Sequence, residues 1–222
     1  MKILKKFGNL FKTKEKLPKA QTIQHVAIFG SAHAPQASPL ALSVIKVCKE
    51  LALAGYTIID GGGPGVMRAA TIGAKQGGGE VIGVTLYPKD ELLDFEGRDP
   101  KNLVDKEIKT TNYVERTLTM MREGQVYVVF NGGTGTISEF GMAWGLAKLY
   151  FGHHKPLILY GNFWHDIMRC FKKNMIMRPE ELKVYKIVDS PEGVLEAIKD
   201  FELEIARGEH EHLKTTKGDY SI

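Results

Sequence analysis

Two glycine clusters, each closing a strand pattern and opening a helix pattern, constrain this chain more than any other feature. The first reads Gly61-Gly62-Gly63-Pro64-Gly65-Val66-Met67 and follows Tyr56–Asp60. The second reads Asn131-Gly132-Gly133-Thr134-Gly135-Thr136-Ile137-Ser138-Glu139 and follows Val126–Phe130. Glycine lets a backbone turn sharply and lets a ligand come close. A helix N-terminus offers free N–H groups and a partial positive charge. Two such cradles point to one phosphorylated ligand, with an acid, Glu139, just inside the second helix.

The rest of the chain repeats that unit. Strand patterns fall at Val26–Phe29, Tyr56–Ile59, Val81–Leu86, Glu107–Thr111, Val126–Phe130, Pro156–Tyr160 and Val184–Val188. Helical spacing lies between most of them, as at Pro39–Ala54, Val114–Arg122, Gly135–Tyr150 and Pro191–Glu204. Alternation of this kind implies right-handed βαβ crossovers and a parallel sheet. Near-continuous apolar strands such as Val126–Phe130 fit a sheet covered on both faces. The expected fold is α/β and doubly wound, a mainly parallel sheet of about seven strands with helices on both faces. Ligands bind such sheets at the carboxyl ends of the strands, at a topological switch point. Both glycine clusters end strands, so both are expected there.

Three segments are expected: a basic arm (1–20), a nucleotide-binding domain (21–205) and a polar tail (206–222). The formal charge of +4 divides unevenly, because the arm holds seven lysines against Glu15 alone and the remainder sums to −2. The main domain therefore carries no general nucleic-acid footprint. Ile3, Leu4, Phe7, Leu10 and Phe11 recur in the arm at helical spacing, a pattern suited to an anionic membrane surface or simply to a solvated tail. No apolar run approaches the ~20 residues of a membrane span, and no secretory leader is visible. Cys48 and Cys170 lie far apart in helical patterns, which fits buried thiols in a reducing, cytoplasmic setting. No metal site is expected: His153-His154 and His210/His212 fall in a loop and the tail. His33, near the end of the first strand, is a candidate ligand contact. Trp144 and Trp164 read as packing residues, with Trp144 also a candidate for a pocket wall or dimer contact. Met67, Met120, Met121 and Met142 read as fillers of core or pocket gaps.

Neither cluster is the dinucleotide fingerprint G-x-G-x-x-G or the P-loop G-x-x-x-x-G-K-[ST], so nicotinamide and ATP chemistry lose support. Gly61–Met67 resembles the pattern GGGxxGxM with one residue fewer, and Asn131–Glu139 resembles PGGxGTxxE. Asn112–Met120 resembles the arginine-bearing stretch that accompanies them. These are the patterns of the LOG family, often mislabelled lysine decarboxylase-like, close to the molybdenum-cofactor carrier-like proteins. The resemblance runs from about Val26 to Phe201. It implies a Rossmann-like homodimer and a phosphoribohydrolase that splits adenosine-type 5′-monophosphates into free base and ribose 5-phosphate, without a cofactor. Decarboxylation by pyridoxal chemistry needs a Schiff-base lysine, and neither cluster holds one.

The resemblance makes Glu139 and Arg116 the catalytic pair. The binding set is Gly62, Gly63, Gly65, Gly132, Gly133, Thr134, Gly135, Thr136, Ser31 and Met120. Cleaving an N-glycosidic bond develops positive charge on the ribose, which a carboxylate stabilises while it orients water. Arg116 supplies paired donors, and the Gly132–Thr136 backbone forms an anion nest. Three departures weigh the other way. Asn131 replaces a proline, Ser138 replaces the first of two acids common in hydrolytic members, and Thr117 replaces a lysine. Arg68 is a candidate to compensate. The alternative reading is a carrier or sensor that holds a nucleotide or pterin-type phosphate without turnover.

Overall fold

A computed structural model of the chain describes residues 23–87, 97–149 and 155–207. The basic arm, residues 88–96, His153-His154 and residues 208–222 lie outside the described residues. Seven strands, β1 (His25–Phe29), β2 (Thr57–Asp60), β3 (Val81–Leu86), β4 (Lys106–Thr110), β5 (Val126–Val129), β6 (Leu157–Tyr160) and β7 (Tyr185–Val188), form one sheet. Its order is β4-β3-β2-β1-β5-β6-β7, and every pairing is parallel. The helices are α1 (Pro39–Leu53), α2 (Val66–Gln76), α3 (Tyr113–Glu123), α4 (Thr134–Leu149), α5 (Phe163–Asn174) and α6 (Pro191–Arg207).

The chain steps outward from β1 to β4, then returns along α3 and starts again at β5 on the other side of β1. That reversal is the switch point at which sheets of this kind open a crevice. Side chains of α1, α2 and α6 pack on one face of the sheet, and those of α3, α4 and α5 on the other. All six residues of β3 are buried, as a strand covered on both faces requires. Each Val or Ile so buried contributes roughly 1.5–3 kcal/mol relative to exposure.

Local chemistry sets the helix starts. Ser38 accepts from Ala41 N–H at 3.2 Å ahead of Pro39 at the first helical position of α1, a pairing of N-cap and N1 proline. Asn112 caps α3 by accepting from Glu115 N–H at 2.9 Å. Glu115 reaches back to Thr111, accepting from its N–H and its hydroxyl at 2.8 Å each. These bonds hold the Glu115 carboxyl below its ordinary range, so this acid serves the helix end.

One expectation about side chains differs from the structure, that for Cys170, while Trp144 takes the packing role read for it. Cys48 is buried, but Cys170 is exposed on the outer face of α5. Trp144 packs against Phe140, Phe171 and Tyr185, with ring centroids 5.2, 6.0 and 6.1 Å away. Its indole N–H donates to Glu181 C=O at 2.7 Å, which makes it a packing residue away from the cleft described next.

Candidate active site

The turns after β1 and β5 meet at the switch point. Ser31 N–H donates to Asn131 C=O at 3.1 Å, Phe130 N–H to Phe29 C=O at 2.8 Å, and Val66 N–H to Ser31 C=O at 2.9 Å. Between these turns lies a cleft of about 160 Å³. Its walls are the β1 end with Ser31 and His33, Gly133–Thr136 and Glu139 at the start of α4, Tyr113, Arg116 and Met120 of α3, and Met67 of α2.

The second glycine cluster faces this space. The helical bond from Ile137 N–H to Gly133 C=O is 3.0 Å long. The N–H groups of Thr134, Gly135 and Thr136 precede it, as the orphan donors of a helix start do. A Cβ placed on Gly133 would meet nothing within 4 Å, and one on Gly135 only Tyr113 Oη at 3.9 Å. Neither glycine has positive φ. Packing within the chain therefore demands glycine at neither position, and the unfilled space is open to a ligand. Gly132 differs, because a Cβ there would strike Thr136 Oγ1 and lie 2.9 Å from Ser31 N. Gly132 thus brings the two turns together without lining the cleft.

The first cluster is filled by the protein itself. Gly62 and Gly65 adopt φ of +67° and +64°, a region that L side chains rarely enter. A Cβ on Gly61 would strike Arg116 Nη2, one on Gly62 would strike Thr85 Cγ2, and one on Gly65 would strike Ser31 C=O. Gly62, Gly63 and Gly65 are buried and do not line the cleft; Met67 is the part of this segment that does. The opening N–H of α2 is already spent on Ser31.

Glu139 is 8% exposed, and what remains exposed belongs to a residue of the cleft wall. Burial pushes its carboxyl up to about 7, against the opposing charge of Arg116. Such a group can give and take a proton near neutrality. Arg116 is anchored by backbone. Its Nε donates to Val84 C=O at 3.1 Å and its Nη2 to Gly61 C=O at 3.1 Å, with Met67 Sδ at 3.0 Å from the same nitrogen. The paired donors expected to clamp a ligand are thus mostly engaged, and Nη1 alone has no partner among the described residues. Arg68 does not reach the cleft; its guanidinium stands 3.0 Å from Asp99 Oδ2, outside hydrogen-bonding geometry.

Sequence reasoning missed Asp60 and Tyr113. Asp60, at the end of β2, is wholly buried. Its Oδ1 accepts from Gly62 N–H at 2.6 Å and its Oδ2 from Thr71 Oγ1 at 2.7 Å. Burial pushes its carboxyl up to about 6 against these bonds and the charge of Arg116. An aspartate just before a glycine turn is itself the signal for such an Asx turn. Tyr113 opens α3, and its hydroxyl lies 2.5 Å from Ser138 Oγ and donates to Gly135 C=O at 3.2 Å. Ser138, one residue before Glu139, thus presents a hydroxyl tied to Tyr113. Among the described residues no group of three His, Cys, Asp or Glu side chains gathers to hold a metal ion.

The sequence pattern of the SLOG cluster4 family matches residues 23–180. An uncharacterized protein of Archaeoglobus fulgidus is 30% identical over 145 residues, which cover 65% of this chain and 83% of that one. A cytokinin riboside 5′-monophosphate phosphoribohydrolase of Mycobacterium tuberculosis is 28% identical over 183 residues, covering 78% and 91%. Among solved structures, the molybdenum cofactor binding protein of Rippkaea orientalis superposes with a TM-score of 0.59 at 25% identity, covering 80% of this chain and 96% of that one. Both glycine clusters, the Arg116 stretch and Glu139 lie inside the matched residues, and the chain belongs to the SLOG cluster4 family.

Proposed function

We propose that this chain is a nucleotide 5′-monophosphate phosphoribohydrolase, which hydrolyses AMP or a related nucleotide to free base and ribose 5-phosphate. One observation carries the reading: the unfilled helix start at Gly133–Thr136 and the buried Glu139 carboxyl share one cleft. The phosphate sits on the N–H groups of Thr134, Gly135 and Thr136, helped by the Thr134 and Thr136 hydroxyls and Ser31. Glu139, one turn further on, then faces the ribose. As the bond from C1′ to the base nitrogen breaks, the carboxylate stabilises the positive charge on the sugar. Water adds to C1′ and gives a proton to Glu139, the departing base takes a proton from solvent, and Glu139 returns its own to solvent before the next turnover. Arg116 holds positive charge beside Glu139 and keeps a fraction of it ionised at neutral pH.

The second reading is a carrier that binds a nucleotide or molybdopterin-type phosphate without cleaving it. Ser138 favours it, since its hydroxyl supplies no second carboxylate, and so does the similarity to the Rippkaea orientalis protein. We further propose a homodimer through α4. Ile137 of α4 is 43% exposed and Val114 of α3 is 55% exposed, while Gly141 and Gly145 open onto empty space. No helix among the described residues is long and apolar enough to cross a membrane; we assign the protein to the cytoplasm, with weak anionic-lipid contact through residues 1–20.

The test is product release from AMP and from an N6-modified AMP, with Glu139→Gln and Arg116→Ala alongside. Free base and ribose 5-phosphate from the wild type, lost in both variants, support the hydrolase. Tight nucleotide binding without release leaves the carrier.

A further inference from the structure

One peptide unit near the cleft is held at both ends by charged side chains. The Gly61–Gly62 peptide donates its N–H to Asp60 Oδ1 at 2.6 Å and accepts at its carbonyl from Arg116 Nη2 at 3.1 Å. A peptide is planar, so fixing the N–H fixes where the carbonyl points. The positive φ of Gly62 lets the chain turn directly after this plane. Asp60 itself has little freedom. Thr71 of α2 holds its second oxygen at 2.7 Å, and Asn102 Nδ2 reaches Oδ1 at 3.3 Å and Gly63 C=O at 3.0 Å.

We propose that Asp60 is a positioning residue for Arg116: across the Gly61–Gly62 peptide, its carboxylate aims the carbonyl that fixes the guanidinium in the cleft. The kinetic consequence rests on the phosphoribohydrolase reading; the geometric one does not. An ionised acceptor on the N–H side polarises the peptide and strengthens its carbonyl as an acceptor for Arg116. Asp60 thus acts on a side chain of the cleft wall while remaining wholly buried itself. It also shares the charge of Arg116 with Glu139. The groups facing Asp60 are Thr71 of α2, Asn102 ahead of β4, Arg116 of α3 and the Cys48 thiol of α1. The charged group facing Glu139 is Arg116. Neutralising Asp60 therefore leaves more of Arg116's charge to Glu139, and the acid limb of the pH–rate profile moves to lower pH.

The experiment compares full-length wild type, Asp60→Asn, Asp60→Ala and Thr71→Val. It follows kcat/KM for AMP across pH and the Nε–H NMR resonance of Arg116, assigned with Arg116→Lys. Asp60→Ala should lose about tenfold or more in kcat/KM, and its Arg116 resonance should shift or exchange rapidly with solvent. Asp60→Asn keeps an oxygen for Gly62 N–H. It should keep the resonance and most of the alkaline rate, with the acid limb lowered by about half a pH unit. Thr71→Val, which frees the second oxygen of Asp60 but leaves its bond to Gly62 N–H, should lose clearly less than Asp60→Ala. A wild-type rate and resonance in Asp60→Ala, or an equal loss in Thr71→Val, overturns the assignment. If Asp60→Ala does not fold, an unmoved acid limb in Asp60→Asn overturns it. A wild type that releases no base sinks the hydrolase reading instead, and the Arg116 resonance in the Asp60 variants then decides the positioning role alone.

Discussion

The two glycine clusters end the strands on either side of β1 and are both glycine-rich, yet one is filled with protein and the other is open. After β2, Gly61–Gly65 takes up Arg116, Thr85 and the Ser31 turn in the space that side chains would occupy. After β5, Gly133 and Gly135 face almost nothing. The first cluster uses glycine for conformation and close packing; the second uses it to leave room. A glycine-rich strand–helix turn is thus a place where a backbone is approached closely, and the approaching group is as readily an arginine of the same chain as a phosphate.

Glu139→Gln gives the largest effect on function: loss of at least about a hundredfold in kcat. The same variant should be more stable than wild type, because it removes a carboxyl that burial disfavours when ionised. Denaturant unfolding beside the product assay checks both, and a variant that is inactive and less stable contradicts the account. The clusters separate next. Gly62→Ala should cost about 1–3 kcal/mol or more, since it forces a side chain into positive φ against Thr85. Gly135→Ala should leave Tm within about 2 °C and weaken phosphate binding about tenfold or more by calorimetry. Equal loss of stability in the two variants would erase the contrast.

A pH titration sharpens the same point. Asp60 and Glu139 both have folded pKa values raised above those of the unfolded chain, to about 6 and about 7. Between the unfolded and folded values the native state binds more protons. Stability therefore falls as pH rises from about 4 to about 7, and the penalty is complete above that window. Each group accounts for on the order of 2–3 kcal/mol at most. Glu139→Gln should remove its share and flatten the slope between about pH 5 and 7. The smallest effect is expected from Tyr113→Phe, which loses the bond to Ser138 and costs about 0.5–1.5 kcal/mol, with at most a few-fold change in binding by calorimetry.

The sheet was legible because most of its strands are short, apolar and bounded by glycine or proline, with the edge strand Lys106–Thr110 the exception. Val81–Leu86 was read at its full length, and the other strands shifted by about a residue at one end or both. The second cluster, with Glu139 just inside its helix, was legible through its spacing, whereas Arg116 was singled out by the family resemblance. The closed state of the first cluster was not, because what closes it comes from elsewhere in the chain: Arg116 from α3, Thr85 from β3 and Asn102 from the loop before β4. Composition records the room a glycine leaves and not what enters it. Cys170 shows a second limit, since a helical apolar pattern placed it inward while α5 turns it to solvent.

The most direct measurement is a crystal structure with ribose 5-phosphate bound. The account predicts phosphate oxygens on the N–H groups of Thr134, Gly135 and Thr136, the sugar beside Glu139, and an unchanged Gly61–Gly65 turn with Arg116 still on the Gly61 carbonyl. Phosphate seated in the first cluster, with Arg116 displaced from that carbonyl, would contradict it.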